Sequence, residues 1–175
     1  SSSSPSLRAK LLARLSIASH WSGNDDSIRR SAEEASALAE TQEDPDAAAY
    51  ALQAAWFVTR DPHTVSDRYE IARRLVSRAS TIEPESQLVS QLFWLTSLLE
   101  NGEMVRFDCG LQRFKQLAES LRQPQALWYI SMLDSMRALL AGEFARAEEL
   151  MARFTTLGRR VNDANSDHSA IAQTL

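Results

Sequence analysis

Three histidines and one cysteine are the residues of this chain best suited to metal binding or nucleophilic catalysis. His20, His63 and His168 are far apart, and none has a second histidine or a cysteine at the i+4 spacing typical of a helical metal site. We interpret each as a surface or helix-end histidine and expect no metal site. Cys109 has small or apolar neighbours on its predicted helix, so we predict a buried small hydrophobic residue rather than a nucleophile.

Two acidic pairs, Asp25-Asp26 and Glu33-Glu34, could in principle perform acid–base chemistry. Both lie in or near the first turns of one predicted helix, where acidic residues complement the helix dipole or face water. The chain also lacks the glycine-rich loops that hold phosphates. We therefore expect no catalytic residues and no cofactor, and we predict that the protein is not an enzyme.

Tryptophans and polar residues on alternate predicted helices form the candidate binding site. A polar stripe with a tryptophan on neighbouring helices is typical of a groove for a peptide or small ligand. Core packing is the alternative for each tryptophan, and for any single one it is favoured. Asp134 and Arg137 are three residues apart, so they are neighbours on a helix and can pair. The candidate residues are Trp56, Gln91, Trp94, Trp128, Ser131, Asp134 and Arg137.

Regularly spaced prolines and glycines indicate how these residues are positioned. Four prolines are separated by 40, 39 and 40 residues, and each precedes a segment with helical apolar periodicity: Pro5, Pro45, Pro84 and Pro124. Glycines follow three of them after 18 residues, where a helix C-cap is expected: Gly23, Gly102 and Gly142. The predicted helix pairs are 5–22 with 24–42, 45–60 with 63–81, 84–101 with 103–122, and 124–141 with 143–161.

This period predicts an all-α fold, an α-solenoid of about four antiparallel helix pairs. Residues 1–4 are expected to be a flexible leader, and residues 5–175 a single repeat domain. Its units are 5–44, 45–83, 84–123 and 124–162, and a further helix starts in 163–175. A globular bundle of unequal helices is the alternative.

Composition narrows the choice of partners and compartment. The 175 residues carry a formal net charge of −4 and a single cysteine. No apolar run approaches the ~20 residues that span a bilayer. A dedicated nucleic-acid surface would normally show a basic stripe, and the net negative charge argues against one here. We expect a cytoplasmic protein that contacts neither membrane nor nucleic acid directly.

The segment Ala138-Leu139-Leu140-Ala141-Gly142-Glu143-Phe144-Ala145-Arg146-Ala147-Glu148 resembles the helix–turn–helix core of the tetratricopeptide repeat. The period of about 40 residues exceeds the 34 of the standard repeat. Longer, degenerate repeats of this kind are similar to the helical regions of large bacterial regulators that carry ATPase and LuxR-type DNA-binding domains. The stretches that carry this likeness are Trp21-Ser22-Gly23, residues 31–39, Asp44-Pro45, Tyr50-Ala51-Leu52 and residues 123–129.

The resemblance implies a role in signal transduction or transcription regulation. Together with the predicted groove, it leads us to expect a non-enzymatic protein-interaction or effector-sensing module that binds a peptide or small ligand on its concave face. The alternative is a purely structural spacer or a homodimerisation scaffold. The residues after Asp163 resemble half a helix pair, so a homodimer through the C-terminal end is compatible with the pattern.

Overall fold

Each of the four regularly spaced prolines begins a helix in the computed structural model, which describes residues 4–19, 25–59 and 61–160. Over these residues the chain is helical and contains no strand, which confirms the all-α class. The helices are α1 Pro5–Ala18, α2 Asp25–Glu40, α3 Pro45–Val58, α4 Val65–Ser77, α5 Pro84–Glu100, α6 Met104–Leu121, α7 Pro124–Leu140 and α8 Phe144–Arg160. The predictions for Gly23, His20, His168 and the helix after Asp163 lie outside the described residues.

The helix starts follow from local chemistry. A proline at the first helical position loses no hydrogen bond, because its missing N–H would have no partner in the helix. At α3 the preceding residue, Asp44, also caps the helix: its carboxylate accepts hydrogen bonds from Asp46 N at 2.9 Å and Ala47 N at 3.1 Å. At α2 the acidic pair Asp25 and Asp26 occupies the first turn, as predicted.

The ends of α5 and α7 confirm the two predicted glycine caps that the structure describes. Gly102 and Gly142 adopt φ values of 70° and 75°, which residues with side chains rarely adopt. After α5, Gly102 N donates to Leu99 O at 3.0 Å and Glu103 N donates to Leu98 O at 2.9 Å. After α7, Gly142 N and Glu143 N make the same pattern of hydrogen bonds. Both turns are therefore Schellman motifs.

The chain divides into two compact units, residues 1–108 and residues 109–175, and the division falls within α6. In the first unit, α1 packs against α2 and α3, α3 packs against α2, α4 and α5, and α4 packs against α5. In the second unit, α7 packs against α8. The first helices of successive pairs in the first unit are thus neighbours, and each second helix lies against the first helix of the next pair.

Small residues allow the first three helices to approach closely. Ser16 Oγ of α1 donates to Ile28 O of α2 at 3.0 Å, which fixes the first pair internally. Half-buried Leu12, Leu38 and Tyr50 pack around the centre of this region. That centre is a cluster of buried alanines: Ala9, Ala13, Ala32, Ala35, Ala39, Ala47, Ala51 and Ala54.

Candidate functional site

Trp56 of α3 lies in an aromatic stack rather than on an open surface. Its ring is parallel to that of Phe93 on α5, with centroids 4.0 Å apart and an interplanar angle of 10°. Its Nε1 donates to Ser97 Oγ at 3.0 Å, so the polar atom of this buried indole is satisfied. The indole therefore joins two successive first helices.

Arg68 covers the same indole from α4, the second helix of the pair that α3 begins. Its guanidinium carbon is 5.2 Å from the centroid of Trp56, within cation–π range. The guanidinium also forms an ion pair with Glu100 at the end of α5. Its Nε is buried, and none of the described residues accepts a hydrogen bond from it. Arg68 thus links α3, α4 and α5.

Trp94 of α5 has an equivalent environment. Its ring lies 5.1 Å from that of Tyr69 on α4, and the guanidinium of Arg106 on α6 lies 4.8 Å from its centroid. Arg106 Nη1 is 2.6 Å from both Tyr69 Oη and Glu103 Oε2. Hydrogen bonding to Glu103 raises the pKa of Tyr69. The hydrogen bond from Tyr69 and the contact with Arg106 lower the pKa of Glu103. The cluster is a mutually satisfied acid–phenol–guanidinium group.

Trp128, in the second unit, is the most deeply buried of the three tryptophans, with 1% of its surface exposed. The ring of Tyr129 meets it edge-on, with centroids 4.3 Å apart. None of the described residues accepts a hydrogen bond from its Nε1. Ser131 is also buried, and its Oγ donates to Leu127 O of the same helix at 3.1 Å.

The remaining candidates, Gln91, Asp134 and Arg137, are half-buried. Lys115 of α6 pairs with Asp134 at 3.0 Å, a partner that the spacing of residues on one helix does not reveal. Asp134 is the eleventh residue of α7, and Trp94 is the eleventh of α5. Both contact the preceding second helix, through Lys115 of α6 and Tyr69 of α4 respectively.

The predicted candidates fall in two different units of the chain. Trp56, Gln91 and Trp94 belong to the first unit, and Trp128, Ser131, Asp134 and Arg137 belong to the second. The burial and ring contacts of the three tryptophans favour the core interpretation of each. Binding through these residues stays a prediction.

Histidine, cysteine and acidic side chains are the metal-binding residue types in the described part of the chain. No group of three histidine, cysteine or acidic residues there could hold a metal ion. The prediction of a buried Cys109 is wrong, because the residue is exposed. Cys109 is two residues from buried Phe107 and two residues from buried Leu111, so it lies on a different side of α6 from both. No described helix is long and apolar enough to cross a membrane.

Sequence reasoning missed an exposed apolar surface on α1. Leu7, Leu11 and Leu15 follow one another at intervals of four residues and are 51%, 59% and 54% exposed. Side chains at this spacing form a ridge along one face of a helix. We call this ridge the α1 leucine face. Its signal in the sequence was the i, i+4, i+8 spacing, which is equally typical of a buried face.

Charged residues surround the α1 leucine face. Arg8 pairs with Glu34 of α2. Arg14 donates to Tyr50 Oη of α3 at 3.2 Å, and its guanidinium carbon lies 5.2 Å from the Tyr50 ring centroid. On a helical projection, these arginines lie on opposite sides of the three leucines.

Asp44 joins α1 to α3 next to this surface. Lys10 Nζ is 3.1 Å from its carboxylate, and Ser6 donates a hydrogen bond to it. The Ser6 hydroxyl, the Ala47 N–H and Lys10 outweigh partial burial and lower the pKa of Asp44 to about 2. Burial acts against the charge of Lys10, but Asp44 raises the pKa of this lysine overall.

An open depression of about 350 Å³ lies between α2 and the end of α3. Its lining includes Arg29, Glu33, Glu40 and Val58. The lining combines opposite charges on α2 with small apolar side chains such as Ala32, Ala37 and Ala55, and this mixture gives it no clear ligand chemistry.

Comparison with protein-family models, curated proteins and solved structures gives no match.

Proposed function

We propose that this protein is a non-enzymatic interaction module, a tetratricopeptide-like stack of helix pairs that binds a polypeptide. One observation carries the proposal: α1 contacts α3, and α3 contacts α5, so first helices of successive pairs are neighbours. A row of neighbouring helices gives a continuous surface that a single helix cannot provide. The likeness to repeat regions of bacterial regulators supports a role within a signalling assembly.

The α1–α3 junction is the best-defined part of this surface. Arg14 is exposed, and its contacts with Tyr50 hold the guanidinium over an aromatic ring. A guanidinium held in this way is ordered before a ligand arrives, which reduces the entropic cost of binding. Arginine and tyrosine are also enriched at the energetic centres of protein interfaces. We propose that Arg14 and Tyr50 contact a carboxylate-containing peptide here.

The experiment selects binding peptides from a random library on the full chain and measures their affinities by fluorescence anisotropy. The Arg14→Ala variant should weaken selected peptides about fivefold or more while the melting temperature stays unchanged, because an exposed arginine contributes little to stability. The control is Arg113→Ala, which removes an exposed arginine of α6.

Unchanged affinity in Arg14→Ala, or an equal loss in Arg113→Ala, would exclude this surface. If no peptide binds saturably and the chain dimerises in sedimentation equilibrium, a homodimerisation scaffold is the better description.

A further inference from the structure

The α1 leucine face points to a specific partner, an inference that rests on the proposed interaction function and extends it to an adjoining surface that shares Arg14. Leu7, Leu11 and Leu15 are the third, seventh and eleventh residues of α1, counted from Pro5. Each is more than half exposed. Three neighbouring leucines exposed on one helix face are typical of a protein contact rather than of a solvated surface.

The same positions are buried on the next first helix. In α3 the third and seventh residues are Ala47 and Ala51, both within the alanine cluster that includes Ala9 and Ala32 of the preceding pair. The third and seventh positions of α3 therefore lie on the face that packs on the preceding helix pair.

The same face of α5 is also packed on preceding helices. Its third and seventh residues, Ser86 and Ser90, are buried and accept hydrogen bonds from Gln53 Nε2 of α3, at 3.0 and 3.4 Å. Its eleventh residue, Trp94, contacts Tyr69 of α4. The α1 leucine face thus corresponds to the faces with which α3 and α5 pack on preceding helices, and a helical partner of the same geometry fits it.

Charge distinguishes between the available helical partners. A second copy that paired antiparallel about Leu11 would bring its Arg8 to the same flank as Arg8 of the first copy, and the two Arg14 residues to the other flank, because the arginines lie on opposite sides of the leucines. Like charges close together across an interface are unfavourable. An acidic partner would instead bring carboxylates to both flanks. Arg14 contacts the uncharged Tyr50, and the ion pair of Arg8 with Glu34 leaves further guanidinium N–H groups of Arg8 as donors.

We infer that the α1 leucine face docks an acidic amphipathic helix of a partner polypeptide. The apolar side of that helix carries small residues such as alanine, since leucine ridges fit into grooves between small side chains. Glutamate or aspartate residues on its flanks face Arg8 and Arg14. The three leucines give the affinity, and the two arginines give the preference for an acidic helix.

The test uses the full chain and a labelled helical peptide of about 20 residues, a length at which an alanine-rich helix is stable enough to form. The peptide has alanines on one face and glutamates on both flanks; a second peptide has lysines in place of the glutamates. Anisotropy titrations compare the wild type with Leu11→Gln. The matched control is Leu140→Gln, which changes another leucine of similar exposure, 62%.

The glutamate peptide should bind the wild type saturably, about tenfold more weakly in Leu11→Gln, and equally well in Leu140→Gln. The lysine peptide should bind about tenfold more weakly than the glutamate peptide. Failure of the glutamate peptide to bind, or equal loss in both variants, would overturn the inference. So would a Leu11-dependent dimer in sedimentation equilibrium or Leu11-dependent binding to phosphatidylserine vesicles. Library peptides that lose affinity in Arg14→Ala and keep it in Leu11→Gln would still support the proposed function, because Leu11 takes no part in the Arg14–Tyr50 contact.

Discussion

α1 and α3 begin in the same way, but α3 buries a face that α1 leaves exposed. Both start at a proline with apolar residues at the third, seventh and eleventh positions. In α1 these are leucines exposed by half or more, whereas in α3 the first two are alanines that are fully or almost fully buried. The larger side chains are thus the exposed ones. A helix position acquires its burial from its neighbours, and hydrophobicity alone does not predict it.

The largest expected effect comes from the same substitution at the seventh position of each helix. Ala51→Asp should destabilise the first unit by about 3 kcal/mol or more, because it places an unpaired carboxylate among buried alanines. Leu11→Asp should change stability by less than about 0.5 kcal/mol, because the new carboxylate remains in water. Urea unfolding followed by circular dichroism measures both. Similar losses in the two variants would mean that α1 and α3 do not differ in burial.

A smaller effect is expected at Asp44, which fixes α1 against α3. Its pKa falls from 3.8 to about 2 in the folded protein, so the folded state gains stability above about pH 4 and loses it as the pH falls toward 2. Asp44→Asn keeps a good helix cap but removes the charge. The variant should be about 1–2 kcal/mol less stable than wild type at pH 7, and this difference should shrink below pH 4.

Glu43→Gln is the matched control, since it removes the charge of the adjacent, exposed acid. It should leave both the stability at pH 7 and the acid limb nearly unchanged. An acid limb that is the same in Asp44→Asn and wild type would show that Asp44 does not join the two helices.

A still smaller effect extends the comparison to α5. Gln53→Leu should cost about 1 kcal/mol, because it removes the amide that donates to Ser86 and Ser90 while keeping an apolar stem of similar size. Gln112→Leu, at an exposed position of α6, is the control. Thermal unfolding should separate the two variants by a few degrees. A stabilised Gln53→Leu would mean that the hydrogen bonds of the Gln53 amide contribute no net stability to the packing of α5 on α3.

Much of the fold could be predicted from single residues with a strict backbone requirement. Prolines mark helix starts because they lack an N–H, and Gly102 and Gly142 mark helix ends because a positive φ favours glycine. Glycine does not mark every such turn, since Arg122 adopts a φ of 50° directly after α6.

The candidate site was less predictable, because its contacts join residues that are distant in sequence. Trp56 meets Ser97 across 41 residues, and Arg106 meets Tyr69 across 37. Periodicity assigns a tryptophan to a helix face, but it does not say whether that face meets a second helix, a neighbouring first helix or solvent. For the same reason the spacing of Leu7, Leu11 and Leu15 did not distinguish a core face from a docking face.

Thiol labelling tests the difference between α1 and α3 most directly. In a Cys109→Ser background, Leu11→Cys and Ala51→Cys place one thiol at the seventh position of each helix. Because a buried site reacts only when the structure opens, a maleimide reagent should label Leu11→Cys about a hundredfold faster than Ala51→Cys. The glutamate-flanked peptide should slow only the Leu11→Cys reaction. Equal labelling rates at the two positions, or a Leu11→Cys rate that the peptide leaves unchanged, would contradict an accessible docking face on α1.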